Sequence, residues 1–156
     1  MNENNIIFVS HCILNQNTKK HFCNGSCKRD ILEILAKLQT NIIQLPCPEI
    51  DFKENGNNIK NYKTYCKKLS LQISKKIKKY LKANYNVIGI LGVDLSRTCA
   101  VYKIKNGKKT EFKKGILIEE IEKQMQKHNF QIPIFSVNSE NNFSTIKKLE
   151  LLLRNS

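Results

Sequence analysis

Short runs of β-branched and aliphatic residues alternate along the chain with longer stretches whose apolar residues recur every three or four positions. The first run, Asn5 to Ser10 (NIIFVS), predicts a buried strand. His11 to Ser26 is polar, with Asn15, Asn17, Asn24 and Gly25 as turn formers. Ile31, Leu32, Ile34, Leu35 and Leu38 then fall at helical spacing, predicting a helix from Cys27 to Gln39 with Ser26 as its N-cap. Asn41 to Leu45 is a second strand, stopped by Pro46 and Pro48. After a turn-rich stretch from Asp51 to Asn61, a long helix is expected from Tyr62 to Lys82. Tyr62, Tyr65, Cys66, Leu69, Ile73, Ile77, Tyr80 and Leu81 form its apolar face, and lysines cover most of the rest.

Val87 to Leu91 is a third strand, and Gly92 to Cys99 a loop. Val101 to Phe112 patterns as a hairpin around Asn106-Gly107, a dipeptide suited to a type I′ turn. Ile116 to His128 is a helix whose early Glu119, Glu120 and Glu122 complement its dipole. Ile132 to Val137 is a fourth strand. Asn141 to Leu153 is a last helix, with Phe143, Ile146, Leu149, Leu152 and Leu153 facing inward. Strands alternating with helices predict a mainly parallel sheet covered on both faces. The expectation is one doubly wound, Rossmann-like α/β domain over residues 1–156, with an inserted β-hairpin.

A length of 156 residues suits one domain with a sizeable core. Hydrophobic residues at 40% exclude a disordered chain, and 6 Gly with 3 Pro exclude collagen-like or low-complexity classes. The first apolar run lacks a basic leader and a small-residue cleavage site, and is too short to span a bilayer. A cytoplasmic protein with no membrane partner is expected.

Lys and Arg number 27 against 13 Asp and Glu, a formal net charge of +14. Such a charge suggests nucleic acid. The bias toward Lys, Asn and Ile is spread along the whole chain, however, which discounts a dedicated nucleic-acid surface. Single-strand binders also interleave exposed aromatics with basic residues. Tyr62, Tyr65 and Tyr80 fall instead on an apolar helix face, so a nucleic-acid partner is not favoured.

The 6 cysteines are more informative. In a reducing cytoplasm they are not expected to form a disulfide framework. Cys12 lies two residues past the first predicted strand, Cys47 two past the second, and Cys99 in the loop after the third. In a parallel sheet all three loops emerge at one edge. Three thiols there suit a soft metal or an iron–sulfur cluster, with one open metal position. Glu49, held near Cys47 by Pro46 and Pro48, can transfer protons. Ser96 can hold the attacking water or the substrate. Cys66 patterns as core. Cys23 and Cys27 are spaced as a CxxxC pair, open to a second metal, a redox pair or no function.

Three segments carry a resemblance. They are Ser10-His11-Cys12-Ile13-Leu14-Asn15-Gln16-Asn17-Thr18, Gln44-Leu45-Pro46-Cys47-Pro48-Glu49, and Gly89 through Asp94-Leu95-Ser96-Arg97-Thr98-Cys99. Together and in this order they resemble the signature blocks of the thiouracil desulfidase family, in a branch related to its founding enzymes. The resemblance implies a [4Fe–4S] cluster on Cys12, Cys47 and Cys99. It implies that the unligated iron captures the sulfur of a thiolated nucleobase, and that water replaces this sulfur without net redox change. It points to Glu49 as catalytic acid/base with Ser96, or Thr98, as the helping hydroxyl. Asn15, Asn17, Asp94 and Arg97 are the candidate substrate contacts, Arg97 suiting an anionic group. The chain departs from the family pattern at Arg97, where proline is usual, and at Ala100, where glycine is usual. Two other readings remain: an RNA- or nucleotide-binding protein using the lysine-rich helix, and a zinc or redox protein using the same thiols.

Overall fold

Every residue of strand β1 (Asn5–Val9) is buried, because the strand has a neighbour on each side and helices on both faces. The structure is a computed structural model that describes residues 4–15, 22–52 and 58–155. After β1 come helix α1 (His11–Leu14), α2 (Gly25–Lys37), strand β2 (Asn41–Gln44), α3 (Pro48–Asp51) and α4 (Ile59–Lys82). Strand β3 (Asn86–Val93), the hairpin β4 (Ile104–Asn106) and β5 (Lys109–Glu111), α5 (Ile116–Lys127), β6 (Ile134–Val137) and α6 (Phe143–Arg154) complete the order. The main sheet has the order β2-β1-β3-β6 and all its pairings are parallel. The fold is α/β with a parallel four-stranded sheet, and β4–β5 form a separate antiparallel pair.

Two cores lie on opposite faces. Ile7, Val9, Leu91 and Val93 pack with Ile31 and Leu35 of α2 and Leu149 and Leu153 of α6. Ile6, Phe8 and Ile90 pack with Leu69, Ile73 and Ile77 of α4 and Leu117, Ile118 and Ile121 of α5. Strict alternation would not put Ile88 and Leu91 on the same face. A bulge resolves this: Ile6 pairs with Val87 but Ile7 with Gly89, which leaves Ile88 as the extra residue. Gly89 sits at φ +154, and a Cβ there would lie 2.4 Å from the Pro133 carbonyl oxygen. Only glycine serves both the conformation and the contact.

Several boundaries differ from the pattern-based ones for identifiable reasons. α2 is capped by Asn24, not Ser26: the Asn24 side chain accepts from the Cys27 N–H at 3.0 Å. α4 starts at Ile59 because Asn58 caps it, accepting from the Lys60 N–H at 3.1 Å. β3 continues through Gly92 and Val93, which pair with Ser136 and Val137. In the hairpin Asn106 pairs with Lys109, so the turn centre is Gly107-Lys108 rather than Asn106-Gly107. Only Gly107 has positive φ there, the pattern of a type II′ turn and not of type I′. On α6 the buried stripe is Thr145, Leu149 and Leu153, while Phe143 is 74% and Leu152 42% exposed. Apolar character alone placed those two inward, but the four-residue spacing of the stripe turns them away.

Ile77 is fully buried between α4 and the sheet, whereas Ile59 at the start of the same helix is 65% exposed. Ile77→Ala is therefore expected to cost about 2–5 kcal/mol in urea unfolding. Ile59→Ala should stay within about 0.5 kcal/mol. Equal costs would contradict the assigned helix face.

Candidate functional site

β1, β2 and β3 run parallel, so the segments that follow them leave at one edge of the sheet. The chain goes from β1 to a neighbour on one side, β2, and then to one on the other, β3. A crevice opens where strand order reverses in this way. Cys12 follows β1 in α1, Cys47 is the N-cap residue of α3 after β2, and Cys99 lies in the loop after β3. All three line one cavity, together with Glu49, Ser96 and Thr98. None of the three is in a disulfide.

The loop that carries Cys99 is built by side chains turned to scaffolding. Ser96 Oγ accepts from the backbone N–H of Thr98 at 3.2 Å and of Cys99 at 3.0 Å. Asp94 Oδ1 accepts from the N–H of Val101 and of Tyr102, both at 3.0 Å. The Val93 N–H donates to the Cys99 carbonyl at 2.9 Å. Two glycines let the loop come this close. A Cβ on Gly92 would lie 2.6 Å from the Cys99 carbonyl oxygen, and one on Gly115 would lie 2.4 Å from that of Thr98. Ala100 is fully buried and is not among the residues with positive φ, so alanine is accommodated at this position.

A directed hydrogen-bond chain runs along the cavity wall. Thr98 Oγ1 donates to Glu49 Oε1 at 3.1 Å. Its single proton is thereby committed, so Tyr62 is the donor in its 2.8 Å contact with Thr98 Oγ1. Burial holds the Tyr62 phenol far above its usual range, which keeps that proton in place. A second chain ends on His11, which also lines the cavity. Asn15 Nδ2 donates to Gln44 Oε1 at 2.6 Å, which turns Gln44 Nε2 toward His11 Nδ1 at 2.8 Å. His11 Nδ1 is then an acceptor, which places the ring's N–H on Nε2. His11 Nε2 is buried without a hydrogen-bond partner among the described residues.

The thiols are held neutral when nothing positive is near. Burial pushes Cys12 up to about 12, and Cys47 adds to the rise. Burial also raises Cys47, and it raises Cys99 well above the usual thiol range, with Cys12 contributing. An iron–sulfur cluster suits this donor set in kind, since it binds thiolates and supplies the missing positive charge. The cavity holds about 30 Å³ of free space, room for a water or two, so a larger group would enter by parting its walls. Among the described residues, no three His, Cys, Asp or Glu side chains are grouped so as to hold a single metal ion.

The remaining expected site residues are placed differently. Asp94 does not line the cavity, and its Oδ1 is taken by backbone amides. Arg97 is exposed and outside the cavity. Asn15 acts one step removed, through Gln44 and His11. Asn17 lies outside the described residues. Cys66 is buried core, as expected. Cys23 and Cys27 are joined as a disulfide with Cα atoms 5.3 Å apart, an exception to the reading of the cysteines as thiols. Tyr62, Gln44 and Phe22 are the residues that pattern reasoning missed. Tyr62 was assigned to packing by its helix face, although a buried tyrosine hydroxyl usually finds a partner, and that was the available signal.

The chain has a relative among curated proteins. The chain is 33% identical over 164 aligned positions to the uncharacterized protein MJ0003 of Methanocaldococcus jannaschii, covering 96% of this chain and 97% of that one. The chain belongs to the family of that archaeal protein. No family model matches the sequence, and no solved structure matches it. No helix among the described residues is long and apolar enough to cross a membrane.

Thr98→Val deletes the hydroxyl that joins Tyr62 to Glu49 and leaves the Tyr62 hydroxyl without its acceptor. Unfolding free energy should fall by about 1–3 kcal/mol. Adding Tyr62→Phe should cost less than Tyr62→Phe alone in the wild type, with a coupling of about 0.5–3 kcal/mol. Strict additivity in the double-mutant cycle would break the assigned chain.

Proposed function

We propose that the protein is a desulfidase that hydrolyses a thiocarbonyl group in a small molecule such as a thiolated nucleobase, using a [4Fe–4S] cluster on Cys12, Cys47 and Cys99. One observation carries this reading: three unpaired thiols, delivered after three adjacent parallel strands, line one cavity with a carboxylate. The strand order with a crevice at its reversal also supports the finer reading of the fold as doubly wound and Rossmann-like. A thiol-dependent cluster suits the reducing cytoplasm.

The balance is that of a hydrolysis. The carbon–sulfur double bond becomes a carbon–oxygen double bond, water supplies the oxygen, and hydrosulfide leaves with no change of oxidation state. When bound, the cluster supplies a Lewis acid toward sulfur. The chain's own residues handle protons. Glu49 takes a proton from the attacking water at a carboxylate oxygen. Thr98 fixes the orientation of that carboxylate by donating to Oε1, and Tyr62 fixes Thr98 in turn. His11, which lines the cavity, supplies its Nε2 proton to the departing sulfur or the new oxygen. Ser96 holds the Cys99 loop in place through two backbone amides. Phe22 and Pro46 supply apolar lining to the cavity.

Protein purified without oxygen and reconstituted with iron and sulfide should bind about four irons per chain and be brown. Cys12→Ala, Cys47→Ala and Cys99→Ala should each lose most of that iron, while Cys66→Ala keeps it. Zinc in place of iron, or loss of metal in Cys23→Ala with retention in Cys99→Ala, would overturn the ligand assignment.

Glu49→Gln should keep its iron and lower hydrosulfide release from 2-thiouracil or 4-thiouracil by about 10²–10⁴-fold. Release at the wild-type rate in this variant would remove Glu49 from the proton-transfer role.

A further inference from the structure

The hairpin that follows the Cys99 loop has a composition the thiol site does not use. From 103 to 114 the chain carries six lysines and a single carboxylate, Glu111. Glu111 is engaged by Asn106 Nδ2 at 2.9 Å. Lys114 pairs with Glu122 of α5, whereas Lys103, Lys105, Lys108, Lys109 and Lys113 make no ion pair among the described residues. Two aromatic rings stand at the base of this basic hairpin. Phe112 is 91% exposed and Tyr102 is 57% exposed. Phe112 directly follows β5 and Tyr102 lies two residues before β4, so the two flank the open end of the hairpin from its two strands. The interleaving of lysines with exposed aromatics that the long helix lacks is therefore present here.

The hairpin is also held firmly. The Leu95 N–H donates to the Lys103 carbonyl at 2.8 Å, and the Lys105 N–H donates to the Leu95 carbonyl at 3.0 Å. Leu95 makes both bonds from φ +74, a region that a leucine rarely enters. Asp94 adds its carboxylate to the N–H groups of Val101 and Tyr102. Backbone strain of this kind persists only where the surroundings over-determine it. Here it fixes the base of the hairpin before any partner arrives, which lowers the ordering cost of binding.

We propose that this hairpin, with Tyr102 and Phe112, is a docking arm for single-stranded RNA. The lysines meet phosphates, and the two rings offer stacking platforms to unpaired bases. A duplex keeps its bases stacked and would leave the rings unused. An acidic peptide would satisfy the lysines but gives the two rings no equivalent role. The inference rests on the hairpin alone and stands or falls separately from the thiol chemistry.

Anisotropy of a labelled oligouridylate, measured with the full chain at several salt concentrations, tests it. Phe112→Ala and Tyr102→Ala should each weaken binding about ten-fold, with far-ultraviolet circular dichroism unchanged. Replacing Lys105, Lys108 and Lys109 together by Gln should weaken binding and flatten the salt slope by about 2. Lys75→Gln and Lys76→Gln, on the exposed side of α4, should leave affinity unchanged. The proposal is overturned by absence of binding at low salt, or by full affinity in both aromatic variants. It is equally overturned by losses as large in the α4 variants, or by polyphosphate, single-stranded DNA or oligoglutamate binding tighter than the RNA.

Discussion

Parallel pairing of β1 with both β2 and β3 is the constraint on which the site depends. Antiparallel neighbours would send alternate connections to opposite ends of the sheet. Here the three segments after β1, β2 and β3 leave at one edge, and each brings a cysteine to it within a few residues. The sequence distances between these cysteines are then irrelevant to their proximity. Backbone hydrogen bonding, not a local motif, brings the three thiols to one cavity. The two cores serve this arrangement by clamping β1 from both faces, with Cys12 packed against one and Cys99 against the other.

A second layer of order comes from polar side chains that spend their hydrogen bonds on backbone. Ser96 and Asp94 both satisfy amide groups of the loop that carries Cys99. This accounts for the short loop taking a non-repetitive path without leaving those amides unpaired. Gly92 and Gly115 accept the loop from two sides, where any larger residue would collide with its backbone. The proton-bearing groups are positioned in the same way, one hydrogen bond behind another: Tyr62 behind Thr98, and Asn15 behind Gln44 behind His11.

Much of this was legible in the sequence. Strand–helix alternation foretold the parallel sheet, and the positions of Cys12, Cys47 and Cys99 relative to strand ends foretold their convergence. Glu49 and Thr98 were legible through the residues around the thiols. What stayed hidden is information carried by side-chain direction and backbone torsion. Asp94 and a substrate-binding aspartate look alike until their acceptor partners are known. Phe143 and Leu152 are apolar, yet the rotation of α6 about its axis turns them to solvent. Phe112 beside two lysines reads as an ordinary strand residue until the hairpin is seen to leave its ring uncovered. Tyr62 looks like packing because helical periodicity says which face a residue occupies and nothing about where its hydroxyl ends.

The bulge at Ile88–Gly89 acts in the sheet as an edge dislocation acts in a crystal. It absorbs half a period, so the order on either side of it is set independently. The half of β3 before the bulge answers to the start of β1. The half after it answers to the cavity, and determines to which face Gly92 turns its missing side chain. Changes in the chain that enters the strand are thus insulated from the geometry of the loop that leaves it, and the end that leads to Cys99 can keep its phase while the other end shifts.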